Sequence, residues 1–473
     1  MSNSAQANMN RTKLPAATQV SSQASLSFGS DIFVRSDQVA YSPGASPQLP
    51  FLNAKFENFK KPEDPGFSYN IRGQWSIAEE HLYTHVPNLS WSWNWGESQL
   101  TLGRKTVTWS EADDFWRLGF WQGRAFEDKL IRPTEGLVGL FWHSSQHAPL
   151  QLTLLASPAY IPDLSSKLEI VDHKFYSKSP WFNVPMPKVY LENVETNIHY
   201  SLAPYEISDV VNNPGVALGL SYKWDQIHRL KWSWAYKPIQ QLMFAFPYTW
   251  YLGPNESEVR IEINGRVFYQ RISSLEYVFD NPTTHWKGWL SLTHETPIYG
   301  SMPEKWITQE LAPSTTVSIY MKAPLSFAGF TEDSHIYLAG VKINGGEAPD
   351  KGLGSLQIDS GDASDPGVTS NPNQSLFERR FIYTEAISLG FRNERSLRRG
   401  RSLVTDLHGT YDFLQMGTEF SAQAELRWNK QWQFFARMDW LGPVASPDSS
   451  AQTGFFSYYR ANDRLQIGGT YVF

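Results

Sequence analysis

The residues best suited to chemistry crowd into one stretch, "GRKTVTWSEADDFWRLGFWQGRAFEDK", residues 103–129. Arg104, Lys105, Arg117, Arg124 and Lys129 supply cations there, and Glu111, Asp113, Asp114 and Asp128 supply carboxylates. Trp109, Trp116 and Trp121 are interleaved with them. An indole face stacks on the C–H face of a sugar ring while adjacent charged groups bond its hydroxyls, so the mixture suits recognition of polar solutes. Folded inward, the stretch would form a constriction. Left outside, it would be a rigid surface loop stapled by its tryptophans. Loops carry function more often than their share of the chain.

Other clusters carry less. Hydrolysis needs a His held against a Ser or an acid at a fixed position, and the 11 histidines are scattered. His143 and His147 of "HSSQH" fall at an expected hairpin, where a spacing of four does not put two ligands on one face as it would on a helix. "DSGDASD" lacks the spacing and terminal Glu of a calcium loop. With no cysteine, disulfides and thiolate metal sites are excluded. No assembled acid–base set is present, so the expectation is a non-enzyme without cofactor or metal. "GFRNERSLRRGR" gathers Arg392, Arg395, Arg398, Arg399 and Arg401, either as a binding site for lipid phosphate or a polyanion or as a solvated turn.

The elements that must position these residues have period two. Met416, Phe420, Ala422, Ala424, Leu426 and Trp428 share one parity, against Glu419, Ser421, Gln423, Glu425 and Arg427. In "QWQFFARMDW", Trp432, Phe434, Ala436, Met438 and Trp440 oppose Gln433, Arg437 and Asp439. "RLKWSWAY", "TTVSIYM" and "WSWNW" repeat the scheme. A helix would smear these charges around its circumference, so the segments are strands. Asn264-Gly265 reads as a two-residue hairpin, and "DNPTT", "TEDS" and "WNKQW" as short polar connections. The phase through Phe455, Ser457 and Tyr459 to Phe473 predicts one long final strand.

Aromatics make up 15% of the chain and gather at strand ends, as at Trp428, Trp432 and Trp440. Apolar-out and polar-in strands with aromatic girdles mark a transmembrane antiparallel β-barrel, here of roughly 16–20 strands, with long outside loops and short periplasmic turns. No apolar run reaches the ~20 residues of a spanning helix. The expected lumen charges are Asp406, Glu419, Glu425, Arg427, Arg437, Asp439, Arg460 and Arg464, which either set a guiding field or pair across strands. The glycine-, serine- and aspartate-rich segment 344–374 is expected to be a mobile outside loop, and strand parity fails before about residue 200.

The ending "IGGTYVF" and the alternation before it resemble bacterial outer-membrane β-barrel proteins, loosely the large monomeric carbohydrate or alginate-export channels. The resemblance implies that Tyr471 and Phe473 form the aromatic signal read by the barrel-assembly machinery. It also implies location in the outer membrane, among its lipid and lipopolysaccharide, after removal of a signal peptide. Residues 1–20 are expected to be a flexible segment and 21–473 a single barrel domain. A net charge of -6 gives no footprint for nucleic acid. The expected function is a porin-like channel for passive diffusion of small hydrophilic solutes, sugars or anions. The alternative is a non-conducting surface barrel whose Trp-rich loops bind glycan, lipid or a partner protein. Whether protomers form a homo-oligomer is left open.

Overall fold

The computed structural model describes residues 22–34, 45–58, 64–145, 147–182, 188–191, 194–204, 206–252, 257–300, 306–308, 311–325, 334–346, 380–443 and 454–473. Eighteen strands form one antiparallel sheet. They are β1 (Ser22–Phe33), β2 (Gln48–Asn58), β3 (Gly66–Ser76), β4 (His81–Trp95), β5 (Ser98–Lys105) and β6 (Leu137–His143). Then come β7 (Leu150–Ser157), β8 (Gly215–Lys223), β9 (His228–Pro238), β10 (Tyr269–Asp280), β11 (Lys287–Ile298) and β12 (Ser314–Pro324). The last six are β13 (His335–Gly345), β14 (Glu385–Ser396), β15 (Ser402–Asp412), β16 (Gly417–Arg427), β17 (Trp432–Pro443) and β18 (Arg464–Val472).

Each strand pairs with its sequence neighbour, and β18 returns to β1, with Ser25 opposite Val472 and Phe33 opposite Arg464. Closure leaves no sheet edge, which a bilayer would not tolerate. The Phe473 amide donates to the Ala24 carbonyl at 2.9 Å, one bond beyond that ladder.

Parity fixes which side chains meet lipid. On β17 Met438 is 45% exposed, while its neighbours Arg437 and Asp439 are 5% and 1% exposed. Ile319 and Leu389 lie outward in the same way. A one-residue slip would turn every such set over, so the lipid itself specifies register. Exposed Trp91, Trp93, Trp95, Trp224, Trp286 and Trp428 lie at one end of the wall, and Trp75, Phe413 and Trp440 at the other. These are the two girdles of a transmembrane barrel.

Long connections, including 106–136 and 158–214, all leave one end, together with the four-residue turns 77–80 and 413–416, and the other end has only connections of two to ten residues. By that asymmetry the first end is outside and the second periplasmic. The parity that fails in the sequence before residue 200 is restored by the 158–214 loop. Its strands Glu169–Val171, Lys174–Tyr176, Lys188–Leu191 and Val194–Leu202 are not in the wall. A second sheet joins Lys188–Leu191 and Val194–Leu202 to Met243–Leu252, Ser257–Arg266 and Trp306–Thr308, all from outside loops.

Two local expectations fail. Asn264-Gly265 is no hairpin but lies inside Ser257–Arg266, pairing with Ala245 and Phe244. The final strand is not continuous: Phe455–Tyr458 is a short helix, and β18 begins at Arg464. Phe455, Phe456 and Tyr459 instead pack with Phe33, Leu441 and Trp181. Aromatic content held the apparent phase where no strand exists. The 1–20 segment, "TEDS" apart from Ser334, and most of 344–374 lie outside the described residues.

Candidate lumen constriction

The 106–136 loop folds into the barrel. It begins with an N-cap: the Ser110 hydroxyl accepts from the Asp113 amide at 3.1 Å and opens a six-residue helix, α1 (Glu111–Trp116). The same hydroxyl donates to Glu276 of β10 at 2.6 Å. Glu276 also accepts the Glu111 amide at 2.9 Å and the Ser291 hydroxyl at 2.8 Å, with Lys231 at 3.7 Å. One wall carboxylate therefore satisfies the orphan donors of a helix start. Glu111 in turn meets Arg229 at 3.2 Å and Lys231 at 3.4 Å.

Aromatics seat α1 on that wall. Phe115 packs on Trp289, Tyr320 and Tyr337 with centroids 6.0, 5.0 and 5.6 Å away. The Trp116 indole donates to Ser318 at 2.8 Å. Trp109 stacks on Trp121 at 5.6 Å and lies against Gly219, where an added Cβ would sit 3.4 Å from the ring. The helix ends at Arg117, whose left-handed backbone (φ 55°) turns the chain back. Asp113 then accepts the Phe120 amide at 2.9 Å. Arg124 lies beneath the loop, donating to the Asp113 carbonyl at 3.0 Å and to Asp114 at 3.3 Å, and bonding Thr134.

The loop's return leg reaches the opposite wall. Asp128 pairs with Arg464 of β18, which also bonds Asp439 at 2.7 Å. Glu127 and Glu135 flank His85 of β4 at 2.7 and 2.8 Å. Glu276 stands on β10 and Arg464 beside β1, half-way round an eighteen-stranded ring. The loop therefore crosses the lumen.

Around the constriction, outside the spanning strands, Asp114, Asp163 and Glu111 have shifted protonation. Burial pushes Asp114 up to about 7 against the pull of Arg124, with Asp113 adding repulsion. Burial likewise raises Asp163 to about 6, opposed by the hydrogen bond from the Arg124 amide. Burial alone would raise Glu111, but Lys231, Lys287 and Arg229 outweigh it and hold the group at about 2.

The residues singled out in the sequence separate into groups. Arg117, Arg124, Asp113 and Asp114 come together in the loop, with Arg124 buried as a strut rather than free to face a solute. Arg104 takes the outward parity of β5 and turns at the rim to Glu135 at 2.7 Å and the Gly136 carbonyl at 3.0 Å. Lys105 faces inward, 3.2 Å from His143. Arg437 and Asp439 pair at 2.9 Å, and Arg427 pairs with Glu425 at 2.8 Å and Glu394 at 2.9 Å. Much of the inward charge is thus internally paired, partly along one strand rather than across two. Arg460 is not on the strand face expected for it but in the connection before β18. Tyr471 and Phe473 lie on the outer face at the periplasmic end.

Among the described residues, Arg72 and Arg117 face inward without an ion pair. Arg72 of β3 donates to Gln74 at 3.0 Å, and Arg117 to the Leu130 carbonyl. The sequence did not point to Glu276, His85, Glu135 or Asp163. Each is a lone acid or imidazole in an ordinary strand or loop, and only its distant partners make it matter.

No family model matches the chain, and no curated protein matches it. Among solved structures it is similar to that of Acinetobacter baumannii OccAB3, at 12% identity and a TM-score of 0.46, covering 96% of this chain and 99% of that one. Pseudomonas aeruginosa OccK3 gives 10% identity and a TM-score of 0.44, with coverages of 96% and 95%. Pseudomonas aeruginosa OpdK with vanillate gives the same identity and score, with coverages of 96% and 97%. The chain's own geometry decides its place. It is an outer-membrane β-barrel. A closed antiparallel wall with an apolar belt, two aromatic girdles and a charged interior is stable only where lipid surrounds it.

Proposed function

We propose that this barrel is a passive diffusion channel for small hydrophilic solutes, with the 106–136 loop as its constriction. The observation that carries the reading is the loop's path, pinned to Glu276 on one wall and Arg464 on the other. It narrows the lumen at a level lined by hydrogen-bonding groups. Selectivity in such a gap comes from diameter and from the charges left facing it. Arg72 and Arg117, with no ion pair among the described residues, favour anionic solutes over neutral sugars. Among the described residues no acid–base set suited to catalysis accompanies them, and we read the protein as a non-enzyme.

A second reading has its own observation. The outside loops build a five-stranded sheet, which would serve a non-conducting surface barrel that binds glycan or a partner. Planar-bilayer recording of the purified protein separates the two. The channel reading expects stepwise conductance and a reversal potential on the anion side in a KCl gradient. Stably inserted but silent protein would overturn it.

A further inference from the structure

The periplasmic rim carries a charge that the channel reading does not use. The β14–β15 turn is closed by the Leu397 amide donating to the Arg401 carbonyl at 2.8 Å. It contains the short 3-10 helix Arg398–Gly400. Beside it the β16–β17 turn closes through the Trp428 amide and the Trp432 carbonyl at 3.0 Å. Pairing of Ser402 with Arg427 brings the two turns side by side.

Several of their side chains are exposed on the outer side of the rim. Arg395 is on the outward parity of β14, opposite Leu403, and is exposed. Arg398 and Lys430 are also exposed. The Arg401 guanidinium lies 3.3 Å from the centre of the Trp428 ring. Trp428, Trp432 and Leu397 lie exposed around it. Among the described residues, Arg395 and Arg398 form no ion pair, and the nearby acids Glu394 and Glu425 face inward to Arg427.

The other periplasmic turns are different. Residues 59–65 contain Lys60 and Lys61 but no Arg, and residues 96–97, 144–149, 224–227, 281–286 and 325–334 contain neither Lys nor Arg. The arginines of the periplasmic turns are therefore concentrated in one sector of the rim, where neighbouring like charges repel unless an anion lies between them. The sector sits at the level of the aromatic girdle, with apolar side chains on the membrane side and guanidinium groups on the water side. A guanidinium fork matches phosphate oxygens.

We propose that this sector, Arg395, Arg398, Arg401 and Lys430 around Trp428, is a binding site for an anionic phospholipid of the inner leaflet of the outer membrane. The phosphodiester sits among the guanidinium groups, the glycerol end against Trp428, and the acyl chains run up the wall past Leu403 and Leu426. A soluble phosphate would use only the first of these contacts, so the lipid is the better fit.

The test is native mass spectrometry of the intact, detergent-folded barrel titrated with phosphatidylglycerol or phosphatidylcholine of matched chains. The wild type should prefer phosphatidylglycerol on the order of tenfold, as a few interfacial cations provide. An R395Q/R398Q/R401Q variant should lose that preference while retaining the heat-dependent gel mobility of a folded barrel. Lys223→Gln, a periplasmic-end change in another sector, should retain it. Equal preference in wild type and triple variant would overturn the site. So would absence of any preference in the wild type, the result expected if the rim instead docks an acidic periplasmic protein. Displacement of phosphatidylglycerol by millimolar inorganic phosphate would show a free-anion site and overturn the lipid assignment.

Discussion

The wall over residues 385–472 and the inward loop over 106–136 are built by different rules. Along β14 to β18, side chains alternate between lipid and lumen, and each strand bonds the next in sequence. The loop has no such alternation. Its partners lie far along the chain: Ser110 meets Glu276 across 166 residues and Asp128 meets Arg464 across 336. A solvent with one apolar phase dictates the wall residue by residue, whereas the loop is held by a few specific polar contacts. The wall should thus tolerate change by facing, and the loop by partner.

The largest effect should come from removing the loop's main anchor. Glu276→Ala would leave the Ser110 hydroxyl, the Glu111 amide and the Ser291 hydroxyl without this acceptor inside the lumen. Breaking such a buried set costs ~3–5 kcal/mol. The loop should detach from β10, and single-channel conductance should rise while the closed wall survives. Unchanged conductance with unchanged thermal stability would mean that packing of Phe115 and Trp116 alone holds the loop.

The wall's rule is tested next. Met438 lies mid-strand on the lipid face, so Met438→Arg should cost ~2–4 kcal/mol of folding stability in bilayers. Phe434 is the third residue of β17, nearer the rim, and the same substitution there should cost ~0–1 kcal/mol. Gln433→Arg, on the lumen side, should cost least. A different ranking in urea-induced unfolding from lipid vesicles would break the facing assignment.

Charge reversals in the loop should separate solute-facing residues from struts. Arg117→Glu should shift the reversal potential toward cations. With one charge reversed worth ~1 kcal/mol or more in a partly screened gap, the permeability ratio should move on the order of fivefold. Arg124→Glu should behave instead like Glu276→Ala, because Arg124 holds Asp114 and the Asp113 carbonyl. If both reversals change only selectivity, Arg124 faces the solute after all.

The smallest effect is with pH. Asp114 sits at about 7 in the folded loop against an ordinary 3.8. The folded state therefore binds the proton more tightly, and this group's contribution to stability falls as pH rises from about 4 to 7 and is level above. As pH drops from 8 to 6 the constriction loses negative charge, so anion preference should increase. Asp114→Asn should flatten that dependence in bilayer recordings. A pH response that survives the substitution would assign it to another group, such as Asp163 with its value near 6.

The sequence alone determined the wall. Outward Val317, Ile319 and Met321, or Leu230, Trp232 and Trp234, follow from period two, because a strand exposes alternate residues to two unlike solvents. It also marked the 103–129 stretch by its density of tryptophan and charge. It misread Phe455 to Tyr459 and Asn264-Gly265, where composition or a dipeptide imitated a strand or a turn that neighbouring chain overrode. Only the tertiary structure decided that the stretch crosses the lumen, that Arg124 is buried while Arg117 makes no ion pair among the described residues, and that Glu276, His85 and Arg464 anchor it. Those facts depend on which distant side chains a closed ring brings face to face. Local periodicity specifies how each strand meets its solvents, but ring closure sets the distances across the interior.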